Sequence, residues 1–154
     1  RGMNFSTRGR YGLKAVMELA RREGQGPVSM RDLAESIGIS APYLEQLFKK
    51  LRAAGVIESS RGAQGGYALA KPLKRISVGD VIRPLEGSMA PAACAEQDFT
   101  GCQSNRCIEA YLYRKIRQSV EEVIDSVTLW DMLEKEKELA LQRPNHACGA
   151  WEAI

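Results

Sequence analysis

The chain has 154 residues, of which 44% are apolar, and this is enough for the core of one domain with an appendage. It contains no run of about 18 apolar residues, and its first residues lack the charged and then apolar layout of a secretion signal. The sequence therefore favours neither a membrane protein nor an exported one. We expect a globular protein of the cytoplasm.

The net charge of +3 hides an asymmetry between the two halves of the chain. Residues 1–75 carry 14 Lys and Arg against 6 Asp and Glu, whereas residues 76–154 carry 8 against 13, which gives +8 and −5. A basic half in a small protein indicates a polyanionic partner, most often nucleic acid. The alternative is a solvated, lysine-rich face.

Three helices are predicted at the amino end from apolar residues at helical spacing. They lie in YGLKAVMELA, in SMRDLAESIG and in ISAPYLEQLFKKLRAAG. Ser40 is placed to cap the third helix, and Pro42 lies in its first turn, where a missing N–H costs least. The second and third helices are separated by about three residues around Gly38, which is typical of a helix-turn-helix motif, although any small helical bundle contains similar hairpins.

A β-hairpin is predicted next, in VIESSRGAQGGYALAK, with strands from Val56 to Ser60 and from Tyr67 to Lys71. A phosphate-binding P-loop would instead lead from a strand through Gly-Lys-Ser/Thr into a helix. Three helices followed by this hairpin indicate a winged helix-turn-helix domain. At a wing tip, glycines let the backbone approach DNA and Arg61 can reach a phosphate or the minor groove. An inert hairpin is the alternative.

The carboxyl half begins with one more short helix in ISVGDVIRPLEG, and the composition then changes to the irregular segment SMAPAACAEQDFTGCQSNRC. In the following IEAYLYRKIRQSVEEVIDSV, apolar residues recur at alternating three- and four-residue steps, the pattern of a coiled-coil seam. The seam consists of Tyr113, Ile116, Val120, Val123 and Val127. Such a helix spans about 30 Å, longer than this domain needs, so we expect it to pair with a second copy rather than lie across its own domain.

The predicted fold is mainly α with a small β-hairpin: a winged helix-turn-helix plus a long dimerisation helix. A homodimer of such units would read a palindromic operator in double-stranded DNA. A final helix follows in TLWDMLEKEKELA, with Thr128 and Asp131 placed as a capping box. The expected parts are the winged domain at residues 3–87 and a cysteine-rich cluster-binding loop at residues 88–107. The dimerisation helix with the final helix follows at residues 108–142, and a flexible tail at residues 143–154.

Three cysteines, Cys94, Cys102 and Cys107, lie in one segment with seven and four residues between them, and Cys148 lies alone in the tail. Disulfides are disfavoured in a reducing cytoplasm, so metal binding or redox sensing is favoured. The paired Cys-x2-Cys knuckles of structural zinc sites are absent. Soft thiolates on a glycine-bearing loop suit an iron–sulfur cluster. Zinc and free redox thiols are the alternatives.

The segments FSTRGRYGLKAVMELA, YLEQLFKKLRAAGVIESSRGAQGGYALAK and ISVGDVI, followed by three cysteines and a long helix, occur in the order found in one family. Over roughly residues 3–133 the chain resembles the IscR-type iron–sulfur cluster regulators, whose relatives include NsrR, RirA and CymR. The resemblance implies a homodimeric winged-helix transcription factor, not an enzyme. It also implies a cluster in the cysteine loop, most often 2Fe-2S, with 4Fe-4S as the alternative.

The resemblance further implies which residues contact DNA. Those at the start of the recognition helix are Ser40, Tyr43, Glu45 and Gln46, and those in the wing are Arg61, Gly65, Gly66 and Tyr67. Gln46 can make paired hydrogen bonds to adenine, and Glu45 can accept one from a cytosine amine. The residues placed for phosphates are Arg8, Arg10, Lys49 and Lys50. Each polar residue can also be read as solvated helix surface.

The chain departs from the family pattern in the cysteine spacing, typically five and five, at Pro42 in place of a common serine, and at Ala110. Ala110 stands where a histidine ligand is expected, so the fourth cluster ligand is open. The candidates within the chain are Glu109, Asp98, Cys148 and His146, besides a residue of the partner chain or a small molecule.

A regulator of the same fold that senses oxidants by thiol chemistry or a partner protein is the alternative function. An iron–sulfur carrier or redox enzyme is disfavoured, because no acid–base constellation or nucleotide loop occurs.

Overall fold

The computed structural model describes residues 5–96 and 107–142. The helices of these residues are α1 (Thr7–Arg21), α2 (Met30–Ile37), α3 (Ala41–Ala53), α4 (Val78–Glu86), α5 (Ile108–Ser126) and α6 (Leu129–Gln142). The strands are β1 (Ile57–Ser60) and β2 (Gly66–Leu69), and two short 3-10 turns lie at Leu73–Arg75 and Ala93–Ala95. The predicted mainly α fold with a two-stranded hairpin is therefore confirmed. None of the helices in the described ranges has the length and apolarity of a membrane span.

The helix-turn-helix motif follows from local capping signals. The Ser29 hydroxyl accepts a hydrogen bond from the Asp32 N–H at the start of α2, and Gly38 ends that helix with φ 75°, in the left-handed region that glycine tolerates. The Ser40 hydroxyl then accepts from the Tyr43 N–H at the start of α3. The predicted boundaries of both helices are confirmed, because the signals that set them lie within one turn of the helix ends.

The hairpin is antiparallel, with Ile57 opposite Leu69 and Ser60 opposite Gly66. Its first strand is one residue shorter than predicted, because the N–H of Val56 is already bonded to the carbonyl of Leu51 at the end of α3. The segment between α1 and α2 extends the ladder through an isolated bridge at Val28. Tyr67 and Val28 exchange backbone hydrogen bonds of 2.8 and 2.9 Å, so the wing is fastened to the motif.

The core lies between α3 and the elements around it. One face of α3 is fully buried and consists of Leu44, Leu47, Phe48 and Leu51. These side chains pack with buried residues of α1, α2, β1 and α4 in one continuous cluster. The position of α3 is therefore fixed by apolar burial on one side, which leaves its opposite face available.

The last helix returns to the winged domain. A bridge between Ser77 and Thr128 aligns the start of α4 with the start of α6, and Leu129 is fully buried in the core. The middle of α6 is joined to the carboxyl end of α1 by an ion pair of 2.6 Å between Glu136 and Arg21. The hydrogen bond from Arg21 holds the pKa of Glu136 below its ordinary value. Among the described residues α6 contacts α1 and the turn at Leu73–Arg75. Its grouping with the dimerisation helix at residues 108–142 stays a prediction.

Candidate nucleic-acid interface and cysteine segment

The exposed side of α3 carries four polar residues in one stripe. They form two adjacent pairs about one helical turn apart, opposite the buried face, and are Glu45, Gln46, Lys49 and Lys50. We call these four residues the reading face. Its side chains include two cations, a carboxylate and an amide, which together can contact phosphates and base edges. The structure therefore brings together the four α3 side chains that the sequence analysis assigned to DNA on their chemistry.

Two other predicted DNA contacts on this helix have roles inside the protein. The Ser40 hydroxyl caps α3, and its hydrogen bond from the Tyr43 N–H measures 3.3 Å. Tyr43 is half-buried, and its ring meets the edge of the Tyr11 ring at a centroid distance of 6.3 Å, which joins α3 to α1. Both residues support the helix that presents the reading face, and their contact with DNA stays a prediction.

The predicted phosphate-binding cations are exposed and unpaired. Arg8 and Arg10 lie on the first turns of α1, and Arg61 lies at the wing. Within residues 5–96 and 107–142 neither these arginines nor the two lysines of the reading face form an ion pair. The cations that are paired lie elsewhere, at Arg21, Arg22, Arg83, Arg117, Lys135 and Lys137. The charges on the predicted DNA side are therefore not neutralised by other described parts of the chain.

The wing glycines are required by contacts within the protein. A Cβ at Gly66 would overlap the backbone carbonyl of Val28, and a Cβ at Gly65 would overlap that of Ser60. Gly62 has φ 106°, which strains any other residue. The Tyr67 ring packs against Phe48 with centroids 4.9 Å apart. Gly66 and Tyr67 therefore hold the wing on the core, whereas Gly65 lets the turn of the hairpin close. The contact of all three with DNA stays a prediction.

Sequence reasoning missed two residues that position this surface. Arg52, at the end of α3, donates a hydrogen bond of 3.1 Å to the Ser59 hydroxyl and so joins α3 to β1. Val28 forms the backbone bridge to Tyr67. A short run of extended backbone at Val28 has no pattern of its own, so no signal in the sequence could have found this bridge.

The described cysteines lie at both ends of the cysteine segment, which we define as residues 88–107. Cys94 lies in the turn Ala93–Ala95, Cys107 directly precedes α5, and both are free, half-buried thiols. Arg117 of α5 donates a hydrogen bond of 2.7 Å to the carbonyl of Ala95, which is fully buried. The turn that carries Cys94 is therefore fastened to the helix that begins after Cys107. Cys102 lies outside the described residues, as do Asp98, His146 and Cys148.

Cys107 lies beside a carboxylate. Its thiol donates a hydrogen bond of 3.2 Å to Glu109. The Ala110 N–H lowers the pKa of the thiol, but the Glu109 carboxylate and its charge outweigh this effect, so the pKa is raised. Glu109 has a lowered pKa because its own N–H and the Cys107 thiol donate to it. Ala110 is buried. Within the described ranges no three His, Cys, Asp or Glu residues form a metal-binding group.

The long helix α5 presents apolar side chains to solvent. Of the predicted seam, Val123 is 61% exposed, and the other four residues are half-buried. Further exposed apolar residues at its amino end are Ile108, Tyr111 and Leu112. Its carboxyl end packs on α4, where Arg83 and Asp125 form an ion pair of 2.6 Å and Ile124 is buried. Val123 and the apolar residues at the amino end remain largely exposed within the described parts of this chain.

The packing of Gly66 generates a prediction. Gly66→Ala should lower the free energy of unfolding by about 1–3 kcal/mol, because the added methyl group overlaps backbone atoms that cannot move aside like a side chain. Ala63→Ser, at the exposed wing tip, is the control and should change it by less than about 0.5 kcal/mol. Urea unfolding without DNA measures both. Equal stability of the two variants would contradict the internal role of Gly66.

Comparison with known proteins agrees with this architecture. Residues 5–135 match Rrf2, a family of iron-dependent transcriptional regulators. The HTH-type transcriptional regulator CymR of Bacillus subtilis is 42% identical over 130 residues, which cover 84% of this chain and 89% of that protein. Its solved structure, described as that of the global cysteine regulator, superposes with a TM-score of 0.73 at 40% identity, covering 86% of this chain and 97% of that one.

Regulators named IscR are similar over nearly the same length. IscR of Yersinia pestis is 37% identical over 132 residues, 85% of this chain and 79% of that protein. The structure of T. potens IscR superposes with a TM-score of 0.75 at 44% identity, covering 90% of this chain and 91% of that one. The chain therefore belongs to the Rrf2 family of winged-helix, DNA-binding transcriptional regulators, whose members are not enzymes.

Proposed function

We propose that this protein is a cytoplasmic, homodimeric regulator that binds a palindromic operator and senses iron, cluster or redox status through a cysteine-held iron–sulfur cluster. The observation that supports DNA binding by this surface is the set of exposed, unpaired cations on α1, α3 and the wing. Neutralising phosphates with such side chains releases counterions from DNA and supplies most of the affinity. Cations already paired within the protein would contribute less.

In this proposal α3 lies in the major groove, where the groove width admits a helix. Gln46 reads adenine and Glu45 accepts from cytosine, while the two lysines of the reading face contact phosphates on either side. Arg61 reaches the neighbouring phosphate chain or the minor groove from the wing. Arg8 and Arg10 contact phosphates from the first turns of α1.

The dimer is supported by the exposed apolar surface of α5. This helix has 19 residues and is therefore about 28 Å long. Its exposed apolar residues are Ile108, Tyr111, Leu112 and Val123. Four such residues along one long helix mark an interaction surface. Pairing two copies of α5 around a two-fold axis would present two reading faces to half-sites about 34–36 Å apart.

The cluster is supported by the donor chemistry at the cysteine segment. Cys94 and Cys107 are free thiols on elements fastened to each other, and Cys102 lies between them in the sequence. Thiolates are the usual ligands of iron–sulfur clusters, so these residues fit such a group. When bound, the cluster would supply a centre that responds to iron supply and oxidation. We propose 2Fe-2S, with 4Fe-4S as the alternative, and Glu109 as the fourth ligand, since its carboxylate already contacts Cys107.

A second candidate is thiol sensing without a cluster. It is favoured by the free state of Cys94 and Cys107 and by the similarity to the Bacillus subtilis regulator, whose structure is described as that of a global cysteine regulator. In this case, oxidation or modification of the thiols, or a partner protein, would convey the signal to the same DNA-binding surface.

The reading face can be tested with DNA selected from a random pool and with unrelated DNA. Lys49→Ala should weaken binding to both and reduce the salt slope by about 1, because one phosphate contact is lost. Gln46→Ala should cost about 1–3 kcal/mol on selected DNA alone, because it loses a base contact. Fluorescence anisotropy over a range of salt concentrations measures both. Lys137→Ala, in α6, is the control. Equal losses on both DNAs from both variants would exclude the assignment.

The dimer interface can be tested at Val123. Val123→Lys should convert the dimer to a monomer and weaken operator binding, since a lysine in an apolar helix pairing would be buried without a partner. Gln118→Lys makes the same change in charge at an exposed position about 140° away around the helix and is the control. Sedimentation velocity measures the mass. A dimer that survives Val123→Lys would place the interface elsewhere.

The cluster can be tested by measuring iron and acid-labile sulfide on protein purified without oxygen. About two of each per chain indicate 2Fe-2S, and about four indicate 4Fe-4S. Cys107→Ser should lower both contents, and Glu109→Gln should shift the visible absorption, whereas Glu122→Gln should change neither. Absence of iron and sulfide after reconstitution, with DNA binding intact, would support thiol sensing instead.

A further inference from the structure

The amino end of α1 is capped by a residue from another helix. The Ser6 hydroxyl accepts a hydrogen bond of 3.4 Å from the Gly9 N–H. The Ser6 N–H and hydroxyl in turn donate bonds of 2.6 and 3.0 Å to one carboxylate oxygen of Glu86, at the end of α4. In an ordinary capping box, a Glu or Asp three residues after the cap makes the bond to the cap N–H. That position in α1 is Gly9, so Glu86 replaces the missing carboxylate from 80 residues away.

Two other helices show the local form of the same arrangement. Asp80 accepts from the Ser77 N–H at the start of α4, and Asp131 accepts from the Thr128 N–H at the start of α6, each at 2.9 Å. Both carboxylates lie three residues after their cap and stabilise only their own helix. At α1 the same bond instead joins two helices, so it fixes the amino end of α1 in space as well as capping it.

The two helices are shaped for this contact. A Cβ at Gly9 would overlap the Glu86 carboxylate, and a Cβ at Gly12 would overlap the Leu85 side chain. Both glycines are buried and lie three residues apart on one face of α1. They let α1 approach the end of α4 closely enough for Glu86 to reach Ser6.

Glu86 lies between two functional parts of the chain. It is the last residue of α4, and Gly87, with φ 77°, follows it and leads into the cysteine segment. The helix end that it holds carries Arg8 and Arg10, both exposed. A displacement of the chain at Gly87 would therefore act directly on the residue that fixes the first turn of α1.

We propose that Glu86 is a positioning residue for DNA binding: its carboxylate holds the amino end of α1 against α4 and so places Arg8 and Arg10 on the phosphates. The proposal rests on the proposed function, in which these two arginines contact DNA. Glu86 itself does not touch DNA. Its effect is the orientation of a helix end, which a neutral oxygen acceptor preserves in part.

The first test compares DNA affinity over a range of salt concentrations. Glu86→Ala should weaken binding to selected and unrelated DNA about tenfold and reduce the salt slope by up to about 2, as expected for two lost phosphate contacts. Glu86→Gln keeps an oxygen acceptor and should recover most of the affinity. Asp131→Ala, which removes the carboxylate of the α6 cap, is the matched control and should leave the slope unchanged. Hydrogen exchange should be faster in the first turn of α1 for Glu86→Ala only.

A second variant separates capping from positioning. Glu86→Ala combined with Gly9→Glu rebuilds a local capping box in α1 without the bond to α4. We expect slow hydrogen exchange to return to the first turn while DNA affinity stays low. Recovery of wild-type affinity, or a wild-type salt slope in Glu86→Ala, would overturn the proposal. Absence of salt-dependent binding in the unmodified protein would instead overturn the proposed function.

Discussion

The contact between Phe48 and Tyr67 determines where the wing lies relative to the recognition helix. Phe48 is fully buried on the inner face of α3, and the Tyr67 ring packs on it from the hairpin. The backbone bridge from Tyr67 to Val28 then joins the hairpin to the segment before α2. Because Gly66 lies directly over the Val28 carbonyl, the hairpin can reach this position only without a side chain there. The geometry of the DNA-binding side therefore follows from apolar burial beneath it.

The ion pairs lie away from the predicted DNA side of the molecule. Some of the paired cations join residues within one helix. Two others join two helices: Arg21 joins α1 to α6, and Arg83 joins α4 to α5. These pairs are largely exposed and each contributes little to stability. The cations of the reading face have no ion-pair partners among the described residues, so they are available to phosphates. A surface with such unpaired cations is complementary to a polyanion.

The sequence predicted those features whose signals are local. Ser29, Gly38 and Ser40 set the ends of α2 and α3 within one turn, and the capping box at Thr128 is confirmed. The exposed stripe on α3 also follows from helical period. What could not be predicted depends on residues far apart in the chain. The Ser6 cap looks incomplete in the sequence, because its carboxylate lies 80 residues away. The return of α6 to α1 likewise has no periodic signal, since an amphipathic helix fits several surfaces equally well.

The first part of the cysteine segment is anchored at two points, and this restricts how a signal there acts. At its start the chain leaves α4 at Gly87, next to the carboxylate that holds α1. Further along, the Ala95 carbonyl accepts a bond from Arg117, which fastens the segment to α5. A cluster and an oxidised thiol differ in chemistry, but in the proposed function each would involve Cys94, which lies between these two anchors. In the proposed function, a signal at Cys94 would reach α1 through α4 and a second copy through α5, and a coupling of about 1–3 kcal/mol through these contacts would suffice to switch promoter occupancy.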